Sequence, residues 1–227
     1  VVKLHPDLNN FIYGDEGFSM NYAMRLYEGG SFGDIYGWKF DRDDNGKIKL
    51  NDNGLPAIIG TGNTEKVGNS TPDCMLGWSN TFSYKNFSLY FLIDARIGGD
   101  VFSQTQAELD YRGVSANSGK ARDRGFVEVG GQKFTDTEAF YKYVGSRNST
   151  VTEYYMYDAT NIRLREVSLG YSFPRNVLEK TKVFQGIDLS LIARNLFFIY
   201  KDAPFDPDAT MSTENSCQGV DVFGMPT

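Results

Sequence analysis

The stretch Phe87-Ser88-Leu89-Tyr90-Phe91-Leu92-Ile93-Asp94-Ala95-Arg96-Ile97 decides the fold. Its odd positions are apolar throughout: Phe87, Leu89, Phe91, Ile93, Ala95 and Ile97. Its even positions include Ser88, Asp94 and Arg96. A period of two marks a strand with two unlike faces. In a membrane barrel those faces meet lipid and lumen; in a sandwich they meet core and solvent. Just upstream, Leu76 to Lys85 puts its large residues at even positions, with Asn80 the exception. The join at Lys85-Asn86 is tight enough for a hairpin. Downstream, Val167 to Phe173 alternates again and stops at Pro174, which cannot donate to a ladder. The preceding half, Ile162-Arg163-Leu164-Arg165, carries its apolar residues on the opposite parity. A bulge or a change of environment is expected near Arg165-Glu166. Ile187 to Asn195 supplies a fourth strand, and Phe18 to Tyr27 a weaker candidate.

The connections alternate in length. Tyr27 to Leu76 and Ile97 to Ile162 are gaps of about fifty and about sixty residues, rare as structureless loops in compact soluble domains. Lys85-Asn86 and Phe173 to Ile187 are short. Long outer loops alternating with short inner turns is the pattern of outer-membrane barrels. The long connections hold short helices. Thr135-Asp136-Thr137-Glu138 reads as a capping box ahead of Phe140, Tyr143 and Val144, closed by Gly145. Gln104 to Tyr111 reads as a second helix. No internal repeat and no low-complexity linker stands out.

Composition agrees with strands. Apolar residues make up 41% and charged residues 23%, which excludes a disordered chain. Seventeen Phe, 14 Tyr and 24 Gly favour strands and turns over helices. No apolar run reaches the length of a transmembrane helix. A mean hydropathy of −0.39 is no obstacle to a barrel, whose strands turn only alternate residues to lipid. Val1 to Pro6 is not a signal peptide, so an exported protein would carry its signal elsewhere. The net charge is −6 with no basic stripe, which argues against nucleic acid as a partner.

Ala159-Thr160-Asn161-Ile162-Arg163-Leu164-Arg165-Glu166-Val167-Ser168-Leu169-Gly170-Tyr171 resembles the late-barrel block of the SusC/RagA family, TonB-linked outer-membrane proteins of Bacteroidetes. Four more blocks fit in order: Gly33 to Trp38, Gly77 to Phe87, Ala193 to Phe198, and Phe205-Asp206-Pro207-Asp208. The resemblance implies an all-β fold: the C-terminal strands of a transmembrane antiparallel barrel, 22-stranded in the full-length family, with long extracellular loops containing short helices. It implies a SusD-like surface lipoprotein as partner, TonB acting through a plug region, contact with outer-membrane lipid and the rest of the barrel, and import of glycans or peptides. Residues 1–227 are expected to be the C-terminal part of such a receptor, without the plug and without the closing strand. Strand parity agrees: if the short joins are periplasmic, Ile187 to Asn195 runs outward, and one returning strand is needed to close the barrel. The competing architecture is a soluble β-sandwich carbohydrate-binding module.

Few residues suggest chemistry. Asp41-Arg42-Asp43-Asp44-Asn45-Gly46 matches the first half of a calcium loop, with Asp52 at the twelfth position. Asp41, Asp43, Asn45 and Asp52 are therefore candidate calcium ligands; the alternative is a solvated turn on Asn45-Gly46. No cofactor is required by anything else. Cys74 and Cys217 fall in expected outer loops and are either bridged or two separate buried thiols. His5 is the only histidine and supports no Ser-His-Asp or Cys-His arrangement. No carboxylate pair is singled out by spacing, so an enzyme is not expected. Tyr154, Tyr155, Tyr157 and Trp38 could stack on sugar rings or simply pack within loops. Gly98-Gly99 marks an exit from a strand.

Overall fold

The structure, a computed structural model, describes residues 2–5, 10–15, 21–62, 64–146, 150–178, 185–208 and 219–222. In chain order the early strands are β1 (Asn10–Asp15), β2 (Tyr22–Tyr27), β3 (Asp34–Gly37), β4 (Lys39–Phe40), β5 (Ile58–Ile59) and β6 (Glu65–Asn69). Then come β7 (Cys74–Tyr84), β8 (Phe87–Ile97), β9 (Asp100–Ser103), α1 (Gln104–Tyr111), α2 (Ala116–Arg124), β10 (Val127–Val129), β11 (Gln132–Phe134) and α3 (Thr137–Val144). The last part holds β12 (Met156–Asp158), β13 (Asn161–Ser172), α4 (Arg175–Leu178), β14 (Asp188–Lys201) and β15 (Val220–Asp221). The chain divides into two units: residues 72–98 with 159–204, and the remainder.

The first of these is a single antiparallel sheet in the order β14-β13-β8-β7. Its strands are 11 to 14 residues long, enough for a tilted strand to cross a bilayer. Register puts like with like. Asn80 faces Phe91, Phe91 faces Val167, and Val167 faces Ala193; one row below, Phe82, Leu89, Leu169 and Leu191 line up. This face is apolar apart from Asn80 and is exposed: Trp78 is 58% accessible, Phe82 56% and Leu191 73%. Fully burying one such side chain is worth about 1.5–3 kcal/mol, so the face demands a hydrocarbon environment. Within this unit no second sheet of described residues covers it, as a sandwich would require. At the hairpin end Tyr84 faces Phe87 and Phe87 faces Tyr171. The Phe87 and Tyr171 ring centroids lie 4.7 Å apart, as in the aromatic girdle of a barrel.

The expected bulge is present. β13 shifts register between Leu164 and Glu166 against both β8 and β14: against β8 Arg165 is the extra residue, and against β14 it stands across from Asn195 and Leu196. The shift moves apolar positions from even (Ile162, Leu164) to odd (Val167, Leu169, Tyr171) and keeps them on one face. β14 continues past Asn195, which adopts φ +49°, as far as Lys201. The strand is thus longer than its alternation suggested, because two register shifts broke the period. The two-residue turn Lys85-Asn86 is as expected, with Lys85 at φ +53°. Gly98 and Gly99, both at positive φ, pass β8 directly into another strand, β9.

The second unit carries the long connections, and they are not structureless. β1-β2-β3-β6 form one sheet and β12-β9-β15 another, in which β15 runs parallel to β9. Of the weaker candidate strand Phe18 to Tyr27, β2 is present, and residues 18–20 lie outside those described. The core gathers Tyr22, Met24, Ile35, Phe102, Phe140 and Tyr155, with Ile48 and Val220. α1 has the expected bounds. α3 is capped by Asp136, whose side chain accepts from Ala139 N at 2.9 Å, and not by Thr135; Glu138 pairs with Lys142 instead. α2 escaped sequence reading because it buries only Ser118 and Ala121 and so has no apolar stripe. Its punctuation was visible: Ser115 at the N-cap, and Gly125 at φ +78° ending it.

A short repeat was also missed. Asp43 Oδ1 accepts from Asn45 N and Lys47 N, each at 2.9 Å; Asn51 Oδ1 accepts from Asn53 N and Leu55 N, each at 3.0 Å. Gly46, Gly54 and Gly62 recur every eight residues (46, 54, 62), all at positive φ. Residues 41, 49 and 57 close a ring: Lys49 N donates to Asp41 O, Ala57 N to Lys49 O, and Asp41 N to Ala57 O, at 2.8–2.9 Å.

The two sheet faces give an opposed pair of expectations. Val167→Arg, in the middle row of the apolar face, should destabilise the lipid-reconstituted protein by about 2–4 kcal/mol in denaturant titration. Ser168→Arg, one residue on and facing the other way, should cost well under half of that; equal costs would contradict a lipid-facing assignment.

Candidate functional site

The polar face of the four-stranded sheet is the first candidate surface. Its rows run Gly77–Asp94–Arg163–Phe198, then Ser79–Leu92–Glu166–Arg194, then Thr81–Tyr90–Ser168–Ile192. The bulge sends Arg165 and Glu166 both to this side. Arg165 Nε reaches Asp94 Oδ2 at 2.8 Å, and Arg194 Nε reaches Glu166 Oε2 at 2.9 Å. Arg163 is 7% exposed and its guanidinium lies 4.0 Å from the Phe198 ring centroid. Near the hairpin end the face narrows to Ser83, Ser88, Gly170 and Ser190. A charged, hydrogen-bonding wall backed by an apolar outer face is what a water-filled lumen requires.

The second candidate surface is the tyrosine-rich region of the other unit. Tyr154 packs edge-on against Phe140, Phe40 and Tyr155, with centroids 5.6, 6.1 and 4.9 Å away. Tyr155 is fully buried, and Tyr157 lies edge-on to Phe205 at 5.6 Å. Burial pushes the Tyr154 and Tyr155 hydroxyls far above the usual phenol range and Tyr157 to about 12, so all three stay protonated. Trp38 is half-buried, and its backbone N–H donates to Thr152 Oγ1 at 3.1 Å. These aromatics chiefly build core. Beside them Asp110 is buried. Its Oδ1 accepts from Gln106 Nε2 at 2.9 Å and from the Ser115 hydroxyl, which also caps α2. Burial raises the Asp110 pKa, and those hydrogen bonds oppose the rise.

The sequence matches no protein-family model. It is 27% identical over 99% of its length to TonB-dependent receptor P3 of Formosa agariphila, and 25% identical over 73% to TonB-dependent receptor SusC of Bacteroides thetaiotaomicron. Among solved structures it aligns with the RagAB peptide transporter at a TM-score of 0.55 and 18% identity over 96% of the chain. The RagAB peptide importer in its closed-closed state gives 0.52 and 15% over 98%. The chain is SusC/RagA-like in sequence. It spans 23% of receptor P3, 16% of SusC and 23–24% of the RagAB chains. Receptors of this kind reside in the outer membrane, and the SusC/RagA-like strands described above are barrel strands. No helix of the described residues is long and apolar enough to cross a membrane.

The expected calcium ligands of this SusC/RagA-like chain are not brought together. Asp41 is ion-paired with Lys49 at 3.0 Å, Asp43 holds its turn, and Asp52 sits within the next turn. Among the described residues no group of three or more His, Cys, Asp or Glu side chains could hold a metal ion. Cys74 is neither in a loop nor buried: it is the exposed first residue of β7, opposite Ile97, and its thiol is free. Cys217 lies outside the described residues. His5 is exposed.

Two measurements follow from these contacts. The raised Asp110 pKa means its contribution is fully present below the ordinary carboxylate pKa of about 3.9 and is lost as pH rises through the higher folded value. Asp110→Asn keeps the Oδ1 acceptor, so it should be more stable than wild type at pH 7, with the difference vanishing by about pH 4. A pH-independent difference in thermal unfolding would refute this. For the 41–55 turns, Asp43→Ala should cost about 1 kcal/mol, with or without calcium, because a backbone-capping acceptor is lost. A melting temperature that rises in millimolar calcium only when Asp43 is present would instead establish the ion site.

Proposed function

We propose that this chain forms part of the wall and outer loops of a TonB-dependent importer that takes nutrients across the outer membrane. The observation that carries the reading is the exposed apolar face of β7, β8, β13 and β14, backed by a charged polar face on strands of membrane-spanning length. The likeness to SusC and to the RagAB peptide importer supports it. By the same likeness the whole protein works with a SusD-like surface lipoprotein, receives energy from TonB through a plug region, and carries peptides or glycans. The four strands supply barrel wall, and the unit holding α1, α2 and α3 supplies outer-loop structure. No catalytic step is assigned: the relatives are receptors and importers, and the polar face holds ion pairs with no nucleophile–base pair among the contacts that build it.

Deleting the gene in the producing bacterium tests the reading. The wild-type protein should fractionate with the outer membrane and co-purify with a surface lipoprotein. The deletion strain should lose growth on one class of oligosaccharide or peptide as sole nutrient, and a strain without TonB should show the same loss. Recovery of the protein in the soluble fraction, or unaltered growth on every nutrient tested, would contradict it.

A further inference from the structure

Residues 104–125, which hold α1 and α2, are packed inside out. The buried positions of this segment are Gln104, Ala107, Asp110, Ser115, Ser118 and Ala121, none of them a large apolar side chain. Its three large apolar residues, Leu109, Tyr111 and Val114, are exposed. Burial of an apolar face is what ordinarily holds a helix to its neighbours, so little holds these two. The neighbouring elements of the unit are anchored differently. α3, as long as α1, buries Phe140, Tyr141 and Val144. The β10–β11 hairpin buries Val127 and Phe134 and is bonded outward to Ile48, whose N–H donates to Gly130 O and whose carbonyl accepts from Gln132 Nε2.

The polar contacts of the segment close on one another. Gln106 Nε2 and the Ser115 hydroxyl donate to Asp110, Arg112 pairs with Glu108, and Arg122 donates to Gly113 O across the turn between the helices. These contacts make one piece of α1 and α2. The seam beneath that piece is poorly satisfied. Gln104 is 3% exposed, and among the described residues neither its Nε2 nor its Oε1 has a hydrogen-bond partner, a cost that access to water would remove. A cleft of about 160 Å³ lies between Asp110, Ser118 and Arg122 on the segment and Thr137, Glu138 and Tyr141 on α3, and side chains facing a gap forfeit dispersion contacts. At Gly145 the seam is tight: a Cβ there would stand 2.7 Å from Ala107 O and 3.0 Å from Tyr155 Oη. The two ends of the segment differ. Ser103, the residue before it, is fixed in β9, and its hydroxyl donates to Asp221 Oδ2 at 2.6 Å. Gly125 ends α2 exposed and at φ +78°, where the backbone turns freely.

We propose that residues 104–125 are a flap that opens as one piece, hinged at Ser103 and Gly125, while α3, β9 and β12 stay folded. Opening gives water to Gln104 and Asp110 and uncovers Tyr141 and the hydroxyl end of Tyr155. It separates little apolar surface on the flap's own side, which is why it is the cheapest sub-global opening in the unit. The flap is independent of the transport reading, since it follows from packing within one unit.

Hydrogen–deuterium exchange on the detergent-purified receptor, read peptide by peptide, tests it. Amides of α1 and α2 should exchange together, about a hundredfold faster than those of α3, β9 and β12 after correction for intrinsic rates. Gly145→Ala places a methyl group against Ala107 O and should speed exchange in both helices by a further factor of about ten, with β9 and β12 unaffected. Gln104→Leu removes the unpartnered amide and should slow it about fivefold. Protection in α1 and α2 equal to that of α3, markedly different rates in the two helices, or variants that shift β9 and β12 as much as the flap would each overturn the proposal.

Discussion

Side chains on a strand alternate with a period of two, and a sheet that shows one face to hydrocarbon cannot change phase unless a strand absorbs the change. Strand β13 meets that constraint at Arg165. Without the extra residue, either Ile162 and Leu164 or Val167, Leu169 and Tyr171 would turn inward, and charged residues would turn to lipid. With it, all five stay on the apolar face and two charges arrive together on the polar one. Asp94 and Arg194 then neutralise Arg165 and Glu166. The irregularity and the ion pairs are one device: the bulge supplies the charges, and the neighbouring strands supply their partners.

The SusC/RagA-like character makes sense of the division between units. The wall uses few residue types for a simple task, and its rows of Phe, Leu and Ile on one side and Ser, Thr, Arg and Glu on the other follow from that task. The other unit has an ordinary core of Tyr22, Phe102, Phe140 and Tyr155, and keeps its polar groups for turns and caps. Asp110 is the exception there, a buried carboxylate without a cation among its hydrogen-bond partners, held by Ser115 and Gln106. It ties the start of α2 to α1 at the cost of burying an acid.

How much could be read beforehand follows from these physical differences. The wall was legible because lipid enforces alternation, and even the bulge was visible as a parity change at Arg165. The end of β14 was not, because Asn195 and the two register shifts hide the period from Leu196 to Lys201. Helix α2 was invisible to periodicity, since a helix that buries a serine and an alanine leaves no stripe. The Asp41–Asp52 segment is ambiguous through shared chemistry: carboxylates before Asn-Gly suit a cation loop, and equally suit a side chain that accepts from the backbone two and four residues on. The second copy, Asn51-Asp52-Asn53-Gly54, was the clue that favoured turns. Cys74 was assigned to a loop because its strand starts two residues before the large alternating residues begin.

The same two stretches of chain pair twice. β8 lies beside β13 in one sheet, and β9, which follows β8, lies beside β12, which precedes β13. The pairing of β8 with β13 must close a loop of about sixty residues, a cost that grows with the logarithm of loop length. Once Asp100 meets Asp158, nearly all of that loop is already closed, and each halving of its length relieves about 0.6 kcal/mol. The two pairings therefore share one loop-closure cost: whichever forms first bears it, and the other becomes local.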